Sequence, residues 1–287
     1  MLLVPEYLVD QLFDEHRFQY VFHLAAYAAE GLSHFIKRFN YDNNLIGSVN
    51  LINSAVNYGA ERFVFTSSIA VYGAGQSPMT EDMVPQPEDS YGIAKLAVEM
   101  ELKASQHMFG LDYVIFRPHN VYGERQNIGD RYRNVVGIFM NQLLKGESMT
   151  VFGDGQQQRA FTHINDVAPI IAESAQVPEA RNQVFNVGAD KPFTVNELAR
   201  AVAEAMGMEC NVSHLDSRNE VFLAFSDHGK AESVFGQRKQ TSLEEGIRAM
   251  ATWVKQHGAR TSNIFDQIEI RKKMPPSWAS VLPPVNV

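Results

Sequence analysis

A tyrosine and a lysine stand four positions apart in the segment Tyr91-Gly92-Ile93-Ala94-Lys95. If this segment is helical, both side chains lie on one face, one turn apart. An ammonium beside a phenol favours the phenolate and lowers a phenol pKa that starts near about 10. Such a pair can exchange a proton with the hydroxyl of a sugar or another alcohol. A pattern this short also recurs by chance, so alone it more often marks two unrelated surface residues.

Two serines strengthen this interpretation. Ser67 and Ser68 follow an apolar run that ends at Thr66. A hydroxyl at the mouth of a buried strand can hydrogen-bond the same reacting oxygen as a nearby tyrosine, although serines also simply end strands. The serines, Tyr91 and Lys95 in this order and spacing are much more specific than either feature alone.

Short apolar runs predict the strands that must position these side chains. They are rich in β-branched and aromatic residues, which is typical of strands buried on both faces of a parallel sheet. The runs are Tyr20–Leu24, Arg62–Thr66, Tyr113–Phe116 and Gln183–Val187. Helical patterns cover about 42–58, 91–107 and 166–175. The first helix would begin at an Asp42 N-cap and end at Gly59. This alternation predicts an α/β fold with a doubly wound parallel sheet.

The pattern changes after about residue 188. Thr194–Glu197 and Thr241–Glu244 have the form of capping boxes that open helices. Gly207 and Gly258 would end these helices, which predicts a smaller, mainly helical lobe. The proline-rich end from Pro275 predicts an extended tail rather than a helix.

Two loops are candidates for a ligand site. They run from Gly73 to Ser90 and from Arg117 to Asn134, and each leaves the carboxyl end of a predicted strand. Ligands of open α/β sheets bind beyond these ends.

Composition excludes several classes of protein. The 287 residues carry 25 Lys and Arg against 33 Asp and Glu, a net charge of −8. A binder of nucleic acid or of an anionic membrane would need a basic face. A single cysteine excludes an internal disulfide framework and a multi-cysteine metal site, and it fits the reducing cytoplasm. The nine histidines form no metal-binding motif. No apolar run approaches the ~18 residues of a membrane span, and a basic secretion signal is not expected.

In six motifs the sequence resembles the extended short-chain dehydrogenase/reductase family, in particular its NAD-dependent nucleotide-sugar epimerases that act on UDP-glucose and UDP-galactose. The motifs are His23–Ala26, Asn44–Ser48, the set Ser68, Tyr91 and Lys95, Arg117–Gly123, Val151–Gly155 and Arg159–Asp166. The resemblance covers about residues 10–258 and implies a Rossmann-like sheet. It implies an NAD-binding domain of residues 1–123 and 161–187 and a substrate lobe of 124–160 and 188–258. Residues 259–287 would form the tail.

The resemblance also implies roles for single residues. Tyr91 would be the acid and base, Lys95 its pKa modulator and a ribose ligand, and Ser68 the second hydrogen-bonding group. Further contacts to NAD would come from Ala25, Ala26, Asn44, Ser67 and His119. Further contacts to the sugar nucleotide would come from Asn120, Val151, Arg159 and Arg218.

The two arginines would clamp the diphosphate, whose geometry an arginine fork matches. For Arg218, in Arg218-Asn219-Glu220, a plain surface charge is an equally good interpretation, because the local match is weaker. His163 and Asp166 are expected to belong to the scaffold.

One family feature has no counterpart in the sequence. A Gly-rich turn after the first strand holds the dinucleotide pyrophosphate in this family. Only a helix-like segment, Leu8–Phe18, precedes the Tyr20 strand, and Gly73-Ala74-Gly75 follows the wrong strand. We therefore expect an N-terminally incomplete sheet with the Tyr20 strand as an apolar edge.

Three explanations stay open for this feature. The sequence starts late or is a fragment, which we favour; or the chain dimerises or rearranges to cover the edge; or it is a catalytically inactive relative that only binds a sugar nucleotide. Tight NAD binding by this chain alone is not predicted in any of them.

The residues after Ser68 bear on the reaction. Family dehydratases and decarboxylases resemble one another in having acids there, whereas this chain has Ile69 and Ala70, which cannot transfer protons. The resemblance thus implies 4-epimerisation of a UDP-hexose through a 4-keto intermediate. An NAD(P)-dependent dehydrogenase or reductase of the same fold is an alternative, and the nucleotide and the sugar stay open. By the same resemblance we expect a homodimer that pairs the helices at 42–58 and 91–107.

Overall fold

The computed structural model describes residues 6–75, 77–218, 221–262 and 264–282. Its strands are β1 (Tyr20–His23), β2 (Arg62–Thr66), β3 (Asp112–Pro118), β4 (Val121–Tyr122), β5 (Met149–Phe152), β6 (Gln158–Ala160), β7 (Thr162–His163), β8 (Gln183–Val187), β9 (Pro192–Thr194), β10 (Val212–Leu215) and β11 (Leu223–Ala224). Its α-helices are α1 (Glu6–His16), α2 (Glu30–Ser33), α3 (Lys37–Tyr41), α4 (Gly47–Asn57), α5 (Ser90–Phe109), α6 (Val135–Leu144), α7 (Ile164–Glu173), α8 (Val195–Met206), α9 (Gly229–Phe235), α10 (Leu243–His257) and α11 (Pro276–Ala279). None of the helices in this part of the chain has the length and apolar character that crossing a membrane requires.

The main sheet has the strand order β1-β2-β3-β8, and every pair is parallel. These are the four strands that the apolar runs predict. The connections between them carry helices, as parallel pairing requires. The predicted parallel sheet is therefore confirmed.

Side chains alternate across the sheet and bury both of its faces. Phe63 and Phe65 of β2 pack under α1, α4 and α5, whereas Val64 packs toward α7 and α9. The first face is completed by Val9, Phe13, Ile52, Ala55, Val98 and Leu102. The second face is completed by Val167, Ile171, Ala231 and Phe185. Helices thus cover both sides, which confirms the doubly wound arrangement.

The strand β1 differs from its neighbours. It pairs with β2 alone among the described strands, so it forms an edge, as expected. Phe22 is 41% exposed and Leu24, just beyond the strand, 52%, whereas Phe63 in β2 is fully buried. The prediction that this strand is buried on both faces is therefore wrong, because a strand with one neighbour has less of the protein packed against it.

A second core forms where α6, α8 and α10 pack together beside two small sheets. Its fully buried members include Phe139, Met140, Leu198, Val202, Ile247 and Met250. The sheets pair β5 with β10 and β6 with β9 and β11. This is the smaller, mainly helical lobe. Its exact boundaries stay a prediction, and α9, predicted to belong to it, instead packs Ala231 and Phe235 on the main sheet.

The C-terminal ends of α8 and α10 lie where the sequence predicts them, whereas the N-terminal end of α10 differs from the prediction. The capping box Thr194–Glu197 is present, and Gly207 and Gly258 follow α8 and α10. The second box is Ser242–Glu245, one residue later than predicted. Thr241 is not the cap because its backbone N and hydroxyl both donate to Asp166. Those bonds give Asp166 the scaffold role that was expected.

The helix predicted from residue 42 has no cap there. Helix α3 continues through a π-helical turn, Asp42–Ile46, directly into α4. Asp42 therefore lies inside a continuous helical segment and is not an N-cap. The predicted end is correct, because Gly59 follows with φ of 73°.

The C-terminal residues correct the prediction of an extended tail. Pro276 opens the one-turn helix α11, a position where a proline is tolerated because it lacks only an N–H that needs no partner. Trp278 is 4% exposed in a cluster with Ala29, Leu32 and Tyr132. The remaining prolines of the predicted tail, Pro283 and Pro284, lie outside the described residues.

Candidate active site

A cavity of about 370 Å³ opens where the carboxyl ends of the main sheet meet the helical lobe. Both loops that the sequence singles out line it, the first with Gly73 and Asp89 and the second with His119, Asn120 and Arg133. The location agrees with the rule for ligands of open α/β sheets. The cavity is therefore the candidate active site.

Helix α5 begins at this cavity with its N-cap Asp89 and carries Tyr91 in its first turn. Tyr91 and Lys95 are themselves buried and do not belong to the cavity lining. The Asp89 Oδ1 accepts hydrogen bonds from the backbone N of Tyr91 at 2.8 Å and of Gly92 at 3.0 Å. Gly92 allows close packing, because a Cβ at this position would lie 2.5 Å from the Ala70 carbonyl oxygen. The first turn of α5 therefore sits directly on the turn that follows β2.

That turn places Ser68 against Tyr91. The Ser68 Oγ accepts a hydrogen bond from the Ala70 backbone N at 3.1 Å, which fixes the side chain. The Ser68 side chain also acts on the Tyr91 phenol as a hydrogen-bonding neighbour and lowers its pKa. The predicted pair of hydroxyls is thus brought together, and Ser68 lines the cavity.

Burial controls the acidity of Tyr91. Loss of solvent raises the pKa of this phenol, the Ser68 hydrogen bond lowers it, and the Glu30 carboxylate raises it further. Lys95 is not among the groups that shift it. The expectation that Lys95 lowers the pKa of Tyr91 is therefore corrected: in this structure burial outweighs every favourable interaction of the phenolate.

Lys95 lies one turn further along α5 and is 2% exposed. Its Nζ donates to the Thr66 carbonyl oxygen at 2.7 Å and lies 4.6 Å from the centre of the Phe65 ring. The distance from Nζ to the centre of the Tyr91 ring is 5.8 Å. Burial lowers the pKa of Lys95 to about 7, and the Glu99 carboxylate opposes this shift. The lysine can therefore gain or lose a proton near neutral pH.

Ser67 does not face the cavity. Its hydroxyl donates to Glu99 Oε1 at 2.5 Å inside the protein. Glu99 is fully buried and also accepts two hydrogen bonds from Arg117, through Nε and Nη2. The Arg117 Nη1 donates to the Tyr72 hydroxyl at 2.7 Å. The structure thus commits the Ser67 side chain to a buried network beneath the site, and the contact of Ser67 with the cofactor stays a prediction.

His119 lines the cavity from the opposite side. Its Nδ1 donates to the Ala160 carbonyl at 3.1 Å, which leaves Nε2 facing His228 Nε2 at 3.2 Å. Burial, followed by the neighbouring His228, lowers the pKa of His119 to about 4. The ring is therefore neutral at physiological pH. His228 in turn contacts Asp190, with 2.5 Å between Nδ1 and Oδ1.

The remaining predicted cofactor contacts lie beyond β1. Ala25 is exposed and Ala26 half-buried, so the backbone there is open to a close approach. Asn44 is buried and brackets Tyr27: its Oδ1 accepts from the Tyr27 N at 2.8 Å, and its Nδ2 donates to the Tyr27 O at 3.1 Å. Asn44 therefore holds this loop in place rather than pointing into the cavity.

The predicted substrate contacts all line the cavity, on its side toward the helical lobe. Asn120 has φ of 42°, a conformation that asparagine tolerates better than most residues. Val151 is buried in β5 and offers an apolar wall. Arg159 donates to the carbonyls of Gln158, Val221 and Phe222, and the Arg218 guanidinium lies 4.4 Å from the centre of the Phe152 ring. Asn219 and Glu220 of the same motif lie outside the described residues.

Four residues near the site were missed from the sequence. Asp89 carried a signal, because an aspartate directly before a helical pattern is a common N-cap. Glu99, His228 and Trp278 carried none, since each acts through a contact to a residue distant in the chain. Among the described residues, no three His, Cys, Asp or Glu side chains come together as ligands for a metal ion.

The donor set can hold the nicotinamide half of a dinucleotide. The Tyr91 hydroxyl and the Lys95 ammonium offer hydrogen bonds suited to ribose hydroxyls, and neutral His119 offers a flat ring. The fit therefore concerns the end of the cofactor where hydride is exchanged.

Comparison with known proteins gives a consistent result. A model of the NAD dependent epimerase/dehydratase family matches residues 4–188. The UDP-glucose 4-epimerase of Mycolicibacterium smegmatis is 32% identical over 239 residues, which are 82% of this chain and 76% of that protein. The crystal structure of the UDP-glucose 4-epimerase of Thermotoga maritima with UDP-glucose has a TM-score of 0.83 at 32% identity, over 88% of this chain and 82% of that one. The UDP-glucuronic acid 4-epimerase of Bacillus cereus, in complex with UDP-glucuronic acid and NAD, has a TM-score of 0.79 at 25% identity, over 87% and 78%.

Proposed function

Because the chain belongs to the NAD dependent epimerase/dehydratase family, we propose that it interconverts the C4 epimers of a UDP-hexose. The membership confirms the predicted family, an isomerase with NAD as its cofactor. The observation that carries the choice of reaction is that Ser68, the neighbour of the Tyr91 phenol, lines one cavity together with Arg159 and Arg218. Two hydroxyls positioned for one alcohol beside two guanidinium groups suit a sugar joined to a diphosphate.

The alternatives are less well supported. The relatives described above are named as 4-epimerases, which does not favour a dehydrogenase, a reductase or an inactive homologue. The turn after Ser68, Ile69–Val71, is entirely apolar, so its side chains offer no acid for elimination. The sugar stays open, because those epimerases act on differently substituted hexoses.

The proposed mechanism assigns proton transfer to Tyr91. Lys95 and His119 would hold the nicotinamide end of NAD, which would supply reversible hydride exchange at C4 of the sugar. Tyr91, whose buried phenol is protonated, takes the proton of the C4 hydroxyl while passing its own proton toward Lys95 as the 4-keto sugar forms, and both transfers reverse at the end. Ser68 holds the same oxygen and stabilises the phenolate. Asn120, Val151 and the two arginines would hold the nucleotide while the sugar turns.

Lys95 and His119 are proposed to hold the nicotinamide side. Because its pKa is about 7, Lys95 is partly an uncharged amine at neutral pH and can take the proton that Tyr91 releases, through the ribose hydroxyls. Ala25, Ala26 and the loop that Asn44 holds would border the rest of the dinucleotide. We place the reaction in the cytoplasm, which the single cysteine, free and exposed at Cys210, supports.

We also propose that the protein works as a homodimer through α4 and α5. Ile93, Met100 and Met108 recur about two turns apart on α5 and are 43%, 62% and 68% exposed. Exposed apolar side chains aligned on one helix face are typical of a surface that a partner covers. A second copy placed there would bury them without blocking the cavity.

The test is to incubate the chain with NAD+ and UDP-galactose or UDP-glucose and to separate the products by chromatography. Tyr91→Phe should lower kcat about 10³-fold, because it removes the group that transfers the proton. Tyr113→Phe, a matched change in the core of the sheet, should retain activity.

Three results would contradict the proposal. Equal turnover by Tyr91→Phe would remove the proposed acid and base. Stoichiometric accumulation of NADH, seen at 340 nm, would indicate a dehydrogenase. Binding of UDP-sugar without turnover, even with excess NAD+, would indicate an inactive homologue.

A further inference from the structure

The C-terminal segment (residues 264–282) is tied to the helices that border the candidate site. The Glu269 carboxylate accepts hydrogen bonds from the backbone N of Arg38 and of Phe39, each at 3.0 Å. The backbone N of Glu269 donates to the Phe35 carbonyl at 2.9 Å. The N-cap residue of α3, Ile36, offers no side-chain acceptor to the first backbone N–H groups of the helix. Glu269, more than 200 residues further along the chain, supplies that acceptor instead.

Aromatic packing extends this attachment. The Phe265 ring lies edge-on to Phe39 at 4.7 Å and beside Tyr27 at 5.6 Å between ring centres. Trp278 packs edge-on against Tyr132 at 5.2 Å and against Phe35 at 6.3 Å. The segment is therefore an ordered part of the fold with its own buried core rather than a loose end.

Trp278 reaches the wall of the cavity behind Arg218. The Arg218 guanidinium lies 4.4 Å from the centre of the Phe152 ring and 5.8 Å from that of Trp278. A Cβ at Gly31 would lie 3.6 Å from Trp278 and 3.7 Å from Arg218 Nη1, so α2 packs closely on both. Gly31, Phe152 and Arg218 all line the cavity.

We propose that the C-terminal segment is a structural wall of the sugar-nucleotide site and that Trp278 is a positioning residue for Arg218. The inference rests on the proposed function, in which Arg218 binds the diphosphate. An arginine side chain has many rotamers, and ordering it opposes binding. Two aromatic rings that hold the guanidinium in advance reduce this loss.

The experiment measures UDP binding to the full-length chain by calorimetry. Trp278→Leu should raise the Kd for UDP about tenfold, within the range of a partly buried cation–π contact. Trp278→Phe, which keeps an aromatic face, should change the Kd by less than about threefold. Trp253→Leu is the matched control, because Trp253 stacks on His257 in the helical lobe and should leave the Kd unchanged.

A double-mutant cycle separates positioning from general loss of structure. If Trp278 acts through Arg218, then Trp278→Leu has no further effect on the Kd of Arg218→Ala. An unchanged Kd in Trp278→Leu, or effects of the two changes that simply add, would overturn the inference. If the unaltered chain binds no UDP, the proposed function fails and the inference with it; if it binds UDP and only the cycle fails, the inference alone is wrong.

Fluorescence provides a measurement that survives a poorly folding Trp278→Leu variant. The sequence has two tryptophans, so Trp253→Phe leaves Trp278 as the only one. UDP should then change the emission of Trp278, and Arg218→Ala should abolish that change at saturating UDP. An emission unaffected by UDP at a concentration that calorimetry shows to be saturating would contradict contact between the wall and the site.

Discussion

Two neighbouring serines follow β2 and have different surroundings. We therefore expect substitution of one to affect kcat and substitution of the other to affect the free energy of unfolding. Ser68 lines the cavity and lowers the pKa of the neighbouring Tyr91, whereas Ser67 donates to buried Glu99. Ser68→Ala should lower kcat about tenfold to a hundredfold, because a hydrogen bond to the phenolate contributes about 1.5–3 kcal/mol. In a plot of kcat against pH, the rise that reports ionisation of Tyr91 should move to higher pH.

Ser67→Ala is the matched comparison. It leaves a buried carboxylate oxygen with one donor fewer, so it should lower the free energy of unfolding by about 1–3 kcal/mol. Its kcat should stay within about threefold of the unaltered chain, since the hydroxyl does not face the cavity. Steady-state kinetics and urea unfolding of both variants check the pair. The opposite pattern would mean that the two serines are wrongly placed.

Two buried histidines make the fold sensitive to acid. Burial, helped by Lys95 for the first, lowers the pKa of His23 to about 4, and that of His119 is also about 4. Between pH 6.5 and 4 the unfolded chain binds protons that the folded chain does not. The free energy of unfolding therefore falls as the pH drops through this window, by about 3 kcal/mol for each ring.

His23→Gln should remove its share of this fall. A glutamine can keep the hydrogen bond that joins His23 Nε2 and the Ser48 hydroxyl at 2.8 Å. Urea unfolding at pH 7, 6 and 5 should show a flatter pH dependence for the variant. An unchanged slope would mean that His23 is solvated or already protonated in the folded chain.

At the scale of elements, the N-cap of α5 links stability to catalysis. Asp89 receives the backbone N of Tyr91 and of Gly92, and its carboxylate also accepts from the Ser33 hydroxyl at 3.2 Å. Asp89→Ala should lower the free energy of unfolding by about 1–2 kcal/mol. Because the first turn of α5 carries Tyr91, kcat should also fall, by up to about a hundredfold.

Ser242→Ala is the control for this prediction. Ser242 caps α10, which carries no residue of the candidate site. The change should lower stability by about 1 kcal/mol and leave kcat unchanged. Thermal unfolding and kinetics of both variants test the difference. If Asp89→Ala loses stability but keeps full activity, the cap does not position Tyr91.

The sequence predicts an element correctly where residues close together in the chain determine that element. All four main strands follow from runs of apolar residues, and the end of α8 follows from Gly207. The start of α10 was displaced by one residue because Thr241 binds Asp166 instead of capping the helix. That partner is distant in the sequence, and spacing alone cannot reveal it.

The candidate site divides in the same way. Tyr91 and Ser68 meet because each opens or ends an element whose pattern is visible. The side chain of Ser67, one residue away, could not be placed, since its direction depends on Glu99 and Arg117. The pKa of Tyr91 was also mispredicted, because a spacing of one helical turn indicates proximity to Lys95 but not burial.

At the scale of the whole molecule, the cavity is closed by three parts of the chain that are distant in sequence. The main sheet contributes its carboxyl ends, the helical lobe contributes Arg159 and Arg218, and the C-terminal segment packs behind them. Catalysis therefore depends on the relative placement of two cores rather than on one. A surface that fixes one core against a second copy would stabilise this arrangement.

The proposed dimer tests that idea. Met100→Glu with Met108→Glu places two charges on the exposed face of α5, where they remain solvated in a monomer but would be buried and unpaired in a dimer. The unaltered chain should sediment as a dimer and the variant as a monomer, because an unpaired buried charge is strongly unfavourable. Phe222 is 63% exposed but does not lie on α5, so Phe222→Glu should leave the dimer intact. If the unaltered chain is a monomer, the proposed dimer does not form. If it is a dimer that the charges on α5 do not affect, the dimer contact lies on another surface.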